Sequence, residues 1–245
     1  MEQESEGFSG KKVLISGGTT GIGRAIAIKL AQEGANVFVF GRHEQELQDA
    51  LADIGDNGQG MVADQANPED VAAVFERFDQ EVGDLDIMIN NAAIGAASVV
   101  ETEPDEIGYT IKSNLIGPLL CCHYAVKRLQ EREQGDILNI GSMSNVSREE
   151  DSDIYVATKS GLDGFTTSLR KKLVDDNIRV SLIEPGLVGT DMTVETASPE
   201  EQPEWIAEAK MLKAEDIAEA ALFILRQPRR CDVIRVQVQP HKSDS

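Results

Sequence analysis

The sequence predicts an α/β fold: a doubly wound, parallel sheet of about seven strands with helices on both faces. Short strand-like runs alternate with helical patterns along nearly the whole chain, which is typical of parallel sheets joined by crossover helices. The strand-like runs are also apolar, as expected of strands that helices cover on both sides.

The elements follow one another in a regular order. A helix is predicted over residues 24–33, after the first strand and a Gly-rich turn. Further helices are predicted where apolar residues recur at spacings of three and four, within residues 71–82, 162–173 and 217–224. The predicted strands cover residues 11–16, 36–41, 86–90, 136–141, 178–183 and 232–238, with one more ending just before Asp64.

Composition limits the partners that the protein can have. The chain has 245 residues, with 43 acidic and 23 basic side chains and a formal net charge of −20. Nucleic acid and anionic membranes are therefore poor partners, because binding phosphates needs a concentrated positive surface. No linker divides the chain, so residues 1–245 are predicted to form one domain. The alternation of strand-like and helical segments breaks only at residues 189–211, which fit either a surface excursion or a lid over a substrate.

The cysteines indicate a reducing compartment. Cys121 and Cys122 are adjacent and Cys231 is alone, a pattern that fits neither a disulfide framework nor a metal site. We interpret them as small buried apolar side chains and predict no metal. The acidic N-terminal decapeptide differs from targeting signals, and no apolar stretch is long enough to cross a bilayer. The sequence therefore predicts a cytoplasmic protein.

A Gly-rich turn between the first strand and the first helix predicts a phosphate site. Glycines allow backbone N–H groups to approach a phosphate, which then lies at the positive end of the helix dipole. The spacing is G-x-x-x-G-x-G, and by itself the turn also fits a tight connection without a ligand. The candidate residues are Gly17, Thr19, Thr20, Gly21, Ile22 and Gly23.

The end of the second strand predicts NADP as the cofactor, with NAD as the alternative. An acidic residue in this region would accept from a ribose hydroxyl and repel a 2′-phosphate. Here the chain has Gly41 followed by Arg42. A guanidinium can hold a phosphate through two parallel hydrogen bonds. An ordinary solvated arginine is the alternative interpretation of Arg42.

Tyr155 and Lys159 stand four residues apart at the start of a predicted helix, so both side chains lie on one helix face. The unperturbed pKa of a phenol is about 10, too high for acid–base work near neutrality. A nearby ammonium, together with a positively charged nicotinamide ring, favours the phenolate and lowers that pKa. Alone, the two residues also fit a surface pair.

Taken together, the motifs resemble the short-chain dehydrogenase/reductase family over about residues 11–238. The matching motifs are GGTTGIG at 17–23, NNAA at 90–93, Asn114, Ser142, YVATK at 155–159, and Pro185-Gly186 with Thr190. One departure is Ala93, where the family usually has glycine. The resemblance implies a Rossmann-like fold and hydride transfer between a nicotinamide cofactor and a carbonyl or carbinol carbon.

The resemblance also implies a role for each matching residue. Tyr155 would be the catalytic acid/base, Ser142 would hydrogen-bond the reacting oxygen, and Asn114 would anchor a proton-relay water. Lys159 would hold the nicotinamide ribose and lower the pKa of Tyr155. The remaining implied cofactor contacts are Asp64 and Gln65 at the adenine, Asn91 and Ala92 at its ribose, and Gly186, Val188 and Thr190 at the carboxamide.

The function that follows is an NADP(H)-dependent oxidoreductase of a small carbonyl or secondary alcohol. A non-catalytic cofactor-binding regulator and an epimerase or dehydratase relative are the alternatives. Arg148 fits either a substrate carboxylate or an ion pair with the acidic residues 149–151. The C-terminal sequence resembles the branch of the family that acts on 3-hydroxy acids, hydroxy amino acids and small carbonyls. Family resemblance further implies a homodimer or homotetramer formed by helices over about residues 105–132 and 154–174.

Overall fold

One parallel sheet organises the protein. The computed structural model describes residues 7–148, 150–194 and 196–242. The strands in these residues are β1 (Lys12–Ser16), β2 (Asn36–Gly41), β3 (Gly58–Val62), β4 (Ile87–Asn90), β5 (Gly135–Ile140), β6 (Ile178–Pro185) and β7 (Arg235–Val238). They form a seven-stranded sheet in the order β3-β2-β1-β4-β5-β6-β7, and every neighbouring pair is parallel. The predicted fold class is confirmed.

Helices cover both faces of the sheet. The helices in the described residues are α1 (Gly21–Gln32), α2 (Glu44–Ile54), α3 (Pro68–Glu81), α4 (Pro104–Ile111), α5 (Gly117–Glu131), α6 (Ser144–Ser147), α7 (Asp153–Lys172), α8 (Gln202–Ala207) and α9 (Ala214–Leu225). One core cluster packs α1, α2 and α9 on one face, and a second packs α3, α5 and α7 on the other.

The alternation of side chains along β1 shows how one strand serves both cores. Val13 and Ile15 belong to the first cluster and Leu14 to the second, and all three are fully buried. Successive side chains of a strand point to opposite faces, so a strand covered on both sides must be apolar at every position. This is why the β1 run carries no polar alternation.

The last strand is shorter than its sequence suggests. Residues 232–238 were expected to be extended, whereas β7 pairs with β6 only from Arg235. Just before it, the carbonyls of Gln227 and Cys231 accept hydrogen bonds from the guanidinium of Arg179 at 2.7 and 3.2 Å. The carbonyl of Ile234 still accepts from the backbone N–H of Leu182 on β6 at 3.1 Å, so contact with β6 begins one residue before the paired strand.

Residues 189–211 contain structure of their own. They include a short 3-10 turn at Asp191–Thr193 and helix α8. The segment is closed by a bridge between Val188 and Leu212. The prediction of a single domain for residues 1–245 stays a prediction.

In the described part of the chain, no helix is both long and apolar enough to cross a membrane.

Candidate active site

The candidate residues gather at one edge of the sheet because the strands are parallel. Residues of the candidate site follow the carboxyl ends of β1 to β6, and in a parallel sheet these ends meet at the same edge. The crevice outside that edge is where α/β proteins of this architecture bind their ligands.

The Gly-rich turn fits tightly against the loop that follows β4. Gly17 has a φ of +62°, and a Cβ on it would lie 2.7 Å from the Cα of Ala92. The side chain of Asn91 donates to the carbonyl of Gly17 at 2.9 Å. A Cβ on Gly23 would lie 2.2 Å from that same carbonyl oxygen. Glycine is therefore required here by both backbone conformation and space.

The first turn of α1 is open to an anion. Thr20, the residue before the helix, makes no side-chain cap, and the first turn contains no acidic residue. The first N–H groups of a helix have no partner within it, and the helix dipole favours negative charge at this end. Thr19, Gly21 and Ile22 belong to the same turn, with Thr19 buried. The turn has the chemistry that a pyrophosphate needs.

The end of β2 has no room for a side chain at position 41. A Cβ on Gly41 would lie 2.5 Å from Oγ1 of the buried Thr19. An acidic residue, which the ribose of an unphosphorylated cofactor would use, is therefore both absent and sterically disfavoured. Arg42, the next residue, is exposed and donates from Nη1 to the hydroxyl of Tyr109 at 2.8 Å.

Asp64 completes a chain of three side chains at this end of the crevice. Its Oδ2 accepts from the hydroxyl of Tyr109 at 2.7 Å, and its Oδ1 accepts from the backbone N–H of Ala66. Burial, followed by the hydrogen bond to Asp64, raises the pKa of Tyr109. The phenol therefore stays protonated and donates to the carboxylate while accepting from Arg42.

The loop after β4 is held to its neighbours by polar contacts. The backbone N–H groups of Asn91 and Ala92 both donate to Oγ of Ser16 at 3.1 Å. Gln65 is buried, and its amide nitrogen donates to the carbonyls of Ala92 and Ser113 at 2.7 Å each. The geometry thus gives Gln65 a structural role, binding the β3 and β4 loops to the helical region beside them.

Asn114 lies in a π-helical segment, Lys112–Ile116, between α4 and α5. It is buried, and its amide makes two hydrogen bonds with the backbone of Ile94, accepting at 2.8 Å and donating at 2.7 Å. A π-helical turn widens the helix locally and is often found at functional sites. The predicted long helix near residues 105–132 is therefore interrupted at Asn114.

Ser142 sits on a turn that is fastened to the end of β6. The backbone N–H of Gly141 donates to Ile183 at 2.7 Å and that of Met143 to Pro185 at 2.9 Å. The Ser142 hydroxyl accepts from the backbone N–H of Ser144 and donates to its hydroxyl, both at 3.1 Å. The hydroxyl group is thereby oriented by its own turn.

Tyr155 and Lys159 share one face of α7, as their spacing predicts. Lys159 is 3% exposed, and its ammonium lies 5.5 Å from the centre of the Tyr155 ring. The ammonium donates to the carbonyl of Ile140, at the end of β5, at 3.0 Å. Burial lowers the pKa of Lys159 to about 8. A positive charge is thus held beside the phenol in a water-poor position.

The excursion after β6 lies against the Gly-rich turn. Gly186 donates to the carbonyl of Val238 at 2.8 Å, and Val188 is buried at the bridge that closes the segment. A Cβ on Gly21 would lie 3.1 Å from Cγ2 of Thr190. The carbonyl of Thr190 accepts from the side chain of Gln202 on α8 at 3.2 Å.

A buried polar cluster behind Ser142 was not found by motif reasoning. Glu184 is fully buried and accepts from the amides of Asn145 at 2.7 Å and Gln237 at 3.0 Å. Asn145 lies three residues after Ser142 on the same turn. The signal for this cluster was a carboxylate directly after the apolar pair Leu182 and Ile183 near the end of a strand.

The comparisons with known proteins agree with this geometry. A model of the short chain dehydrogenase family matches residues 11–201. The chain belongs to the short-chain dehydrogenase family. A 3-oxoacyl-(acyl-carrier-protein) reductase from Bos taurus is 31% identical over 219 residues, which span 89% of this chain and 92% of the relative.

Solved short-chain dehydrogenase structures have the same fold. The closed form of serine dehydrogenase with NADP+ superposes with a TM-score of 0.84 at 26% identity, covering 93% of this chain and 94% of that one. A variant of actinorhodin polyketide ketoreductase with NADPH gives 0.86 at 25% identity, covering 96% and 98%. These relatives are oxidoreductases by name, and both structures contain a phosphorylated nicotinamide cofactor.

Other expectations for this short-chain dehydrogenase concern residues outside the crevice. Cys121 and Cys122 are buried, and burial raises the pKa of Cys122 to about 12. Arg148 is exposed, with Nε 3.5 Å from the carbonyl of Asn145. Of its expected acidic partners at 149–151, Glu149 lies outside the described residues. Among the residues that are described, no group of three or more metal-binding side chains comes together.

Proposed function

We propose that this short-chain dehydrogenase transfers a hydride between NADP(H) and a small carbonyl or secondary alcohol, with Tyr155 as the acid/base. The observation that carries the proposal is the buried ammonium of Lys159, 5.5 Å from the Tyr155 ring. A desolvated positive charge beside a phenol, in a crevice, is typical of a functional site.

The residues present fit a nicotinamide dinucleotide. The uncapped, carboxylate-free start of α1 would hold its pyrophosphate, at a turn whose glycines at positions 17 and 23 have no space for a Cβ. Asn91, Ala92 and Asp64 line the adenine side, and Gly186, Val188 and Thr190 lie where the chain returns to the Gly-rich turn. When bound, the nicotinamide supplies or accepts the hydride.

The protein's own part in the reaction is to move a proton and to orient an oxygen. In the reducing direction the Tyr155 hydroxyl gives its proton to the substrate oxygen, and in the oxidising direction the phenolate takes it back. The Ser142 hydroxyl, whose single O–H donates to Ser144 in the structure, would turn to donate to the same oxygen as negative charge develops on it. Asn114, in the widened helical turn, would anchor a water through which the proton is replaced.

Lys159 makes this proton transfer feasible near neutral pH. Its ammonium favours the phenolate over the phenol and so lowers the pKa of Tyr155 from a reference value of about 10. Each tenfold gain in phenolate needs about 1.4 kcal/mol of differential stabilisation. One poorly solvated charge within several ångströms can supply a gain of this size.

NADP is the proposed cofactor, and Arg42 is the side chain that favours it. The position that would hold a ribose-binding carboxylate is Gly41, which is closed by Thr19. The guanidinium of Arg42 is exposed at the same end of the crevice and can hold a 2′-phosphate. Bound NADP+ and NADPH in the two structural relatives support this choice.

The substrate side is formed by the Ser142 turn, the loop after Asn91 and the excursion at 189–211, for which we favour the role of a lid. We propose a small substrate, in keeping with the hydroxy amino acid named for one structural relative. We also propose a cytoplasmic homodimer or homotetramer that contacts its copies through α4, α5 and α7.

Titration of the purified protein with NADPH and NADH, followed by a panel of carbonyls and alcohols, tests the proposal. We expect NADPH to bind at least about tenfold more tightly and to be oxidised in proportion to the carbonyl reduced. Binding without oxidation on any substrate would favour a regulator instead. Product formation without net cofactor consumption would favour an epimerase or dehydratase.

A further inference from the structure

Three side chains from three separate segments meet at the adenine end of the crevice. Arg42 follows β2, Asp64 follows β3, and Tyr109 is on α4. The Tyr109 hydroxyl accepts from Arg42 at 2.8 Å and donates to Asp64 at 2.7 Å. The guanidinium carbon of Arg42 also lies 5.9 Å from the centre of the Tyr109 ring. Tyr109 therefore bridges Arg42 and Asp64.

The bridge is anchored on the side of Asp64. The backbone N–H of Asp64 donates to the carboxylate of Asp70 at 2.9 Å, and its own carboxylate accepts from the backbone N–H of Ala66 at 2.9 Å. Asp64 is thus fixed by its own turn, and the half-buried Tyr109 is fixed by Asp64. Arg42 is exposed, and a free arginine side chain has considerable rotamer entropy to lose on binding a ligand.

The phenol also separates opposite charges. The Tyr109 oxygen stands between the guanidinium and the carboxylate and bonds both. Its hydroxyl accepts a hydrogen bond from Nη1 of Arg42, so the other N–H groups of the planar guanidinium can bind a ligand. Without the hydroxyl, the carboxylate of Asp64 could pair with Arg42 directly and neutralise the charge that a phosphate needs.

We propose that Tyr109 is a positioning residue for cofactor selectivity. It holds Arg42 in the orientation that receives a 2′-phosphate and keeps Asp64 from pairing with it. The inference rests on the proposed use of NADP. It predicts that the Tyr109 hydroxyl matters for the phosphorylated cofactor alone, because the unphosphorylated one offers Arg42 no anion.

The test is a double-mutant cycle in which the dissociation constants of the cofactors are measured and turnover is not. Fluorescence titrations with NADPH and NADH are made on the wild type, Tyr109→Phe, Arg42→Gln and the double variant. We expect Tyr109→Phe to weaken NADPH binding about five- to tenfold and to change NADH binding less than about twofold. In the Arg42→Gln background, Tyr109→Phe should change NADPH binding less than about twofold.

Tyr124→Phe is the matched control, since it also removes a phenol hydroxyl. Its ring stacks on Phe75, with the ring centres 5.4 Å apart, and both dissociation constants should stay unchanged. Equal weakening of both cofactors by Tyr109→Phe would overturn the inference, as would an undiminished effect without Arg42. A wild type that binds neither cofactor would instead contradict the proposed function, so the two failures are distinguishable.

Discussion

Lys159 places a charged group where almost no water reaches it. It is 3% exposed, and the carbonyl of Ile140 is its hydrogen-bond acceptor. Burial disfavours the ammonium and lowers its pKa from 10.5 to about 8. The folded protein is therefore less stable at neutral pH than it would be with a well-solvated ammonium here, and we attribute this cost to the role proposed for Tyr155.

That cost should depend on pH in a defined direction. Between about pH 8 and 10.5 the folded state binds fewer protons at Lys159 than the unfolded state does, so the free energy of unfolding rises with pH across this window. Relative to Lys159→Met, the wild type should gain about 3 kcal/mol between the two ends. Urea unfolding of both proteins from about pH 7 to about pH 10 measures it. A constant difference between the two would mean that the ammonium is well solvated.

Gly17 is the position where adding a single methyl group should lower the free energy of unfolding most. In Gly17→Ala, the positive φ and the contact with the Ala92 backbone together should lower the free energy of unfolding by about 2–4 kcal/mol. The matched control is Gly164→Ala in α7, where a Cβ meets nothing within 4 Å and should stabilise the helix by about 0.5–1 kcal/mol. Urea denaturation of both variants checks the signs, and a neutral Gly17→Ala would contradict the described turn.

At the scale of elements, polar side chains inside the sheet join strands to helices. Asn90 on β4 donates to Asn139 on β5 at 2.8 Å, and Asn139 donates to Thr166 on α7 at 2.8 Å. Glu184 on β6 binds Asn145 on α6, and Asp163 on α7 pairs with Arg235 on β7. The Ser142 turn and the Tyr155 helix are thereby connected to the same strands.

Removing the carboxylate at position 184 should loosen this connection. In Glu184→Gln an amide nitrogen would face the amide donors of Asn145 or Gln237, leaving one buried donor without an acceptor. We expect the free energy of unfolding to fall by about 2 kcal/mol. Glu81→Gln, which removes a partly exposed pair with Arg77, should cost only about 0.3–0.5 kcal/mol. Similar losses in the two variants would show that Glu184 is less important than its burial indicates.

The elements themselves were largely readable from the sequence. Apolar runs and three- and four-residue spacing depend on local periodicity, so β1, β2 and α3 match their predictions closely. The π-helical segment at Asn114 was not readable, because an extra residue in a turn leaves the apolar pattern of a helix nearly unchanged. Nor was the late start of β7, because the strand-like pattern of residues 232–238 does not mark where pairing with β6 begins.

The candidate site was readable where motifs have fixed spacing, as for Tyr155 and Lys159. Contacts between distant segments were not. Tyr109 is joined to Arg42 across 67 residues and to Asp64 across 45, and nothing in the pattern around it indicates a polar partner. The packing of Thr19 against Gly41 was likewise invisible, although the absence of a carboxylate at position 41 was plain.

For the whole molecule, the net charge of −20 should make stability depend on salt. Like charges repel in the compact state, and the screening length falls from about 10 Å at 0.1 M salt to about 3 Å at 1 M. Urea midpoints should therefore rise between about 0.1 and about 1 M NaCl. Chloride is chosen because sulfate stabilises proteins by exclusion. A falling midpoint would mean that screened ion pairs outweigh the repulsion.

The same charge does not prevent binding of an anionic cofactor. The open start of α1 and the guanidinium of Arg42 provide local positive potential at one end of the sheet. The whole molecule is acidic, yet the cofactor proposed for its crevice is itself an anion. Local geometry decides binding here more than average charge does.

In the proposed function, Tyr155 exchanges the proton while the rest of the crevice binds the cofactor. Tyr155→Phe removes one hydroxyl and leaves the ring beside Lys159. Turnover of a carbonyl that the wild type reduces and the dissociation constant of NADPH should be measured on the same preparations. We expect kcat to fall at least about a thousandfold, with NADPH binding unchanged within about twofold. Turnover near the wild-type rate with NADPH still bound would contradict this role of Tyr155.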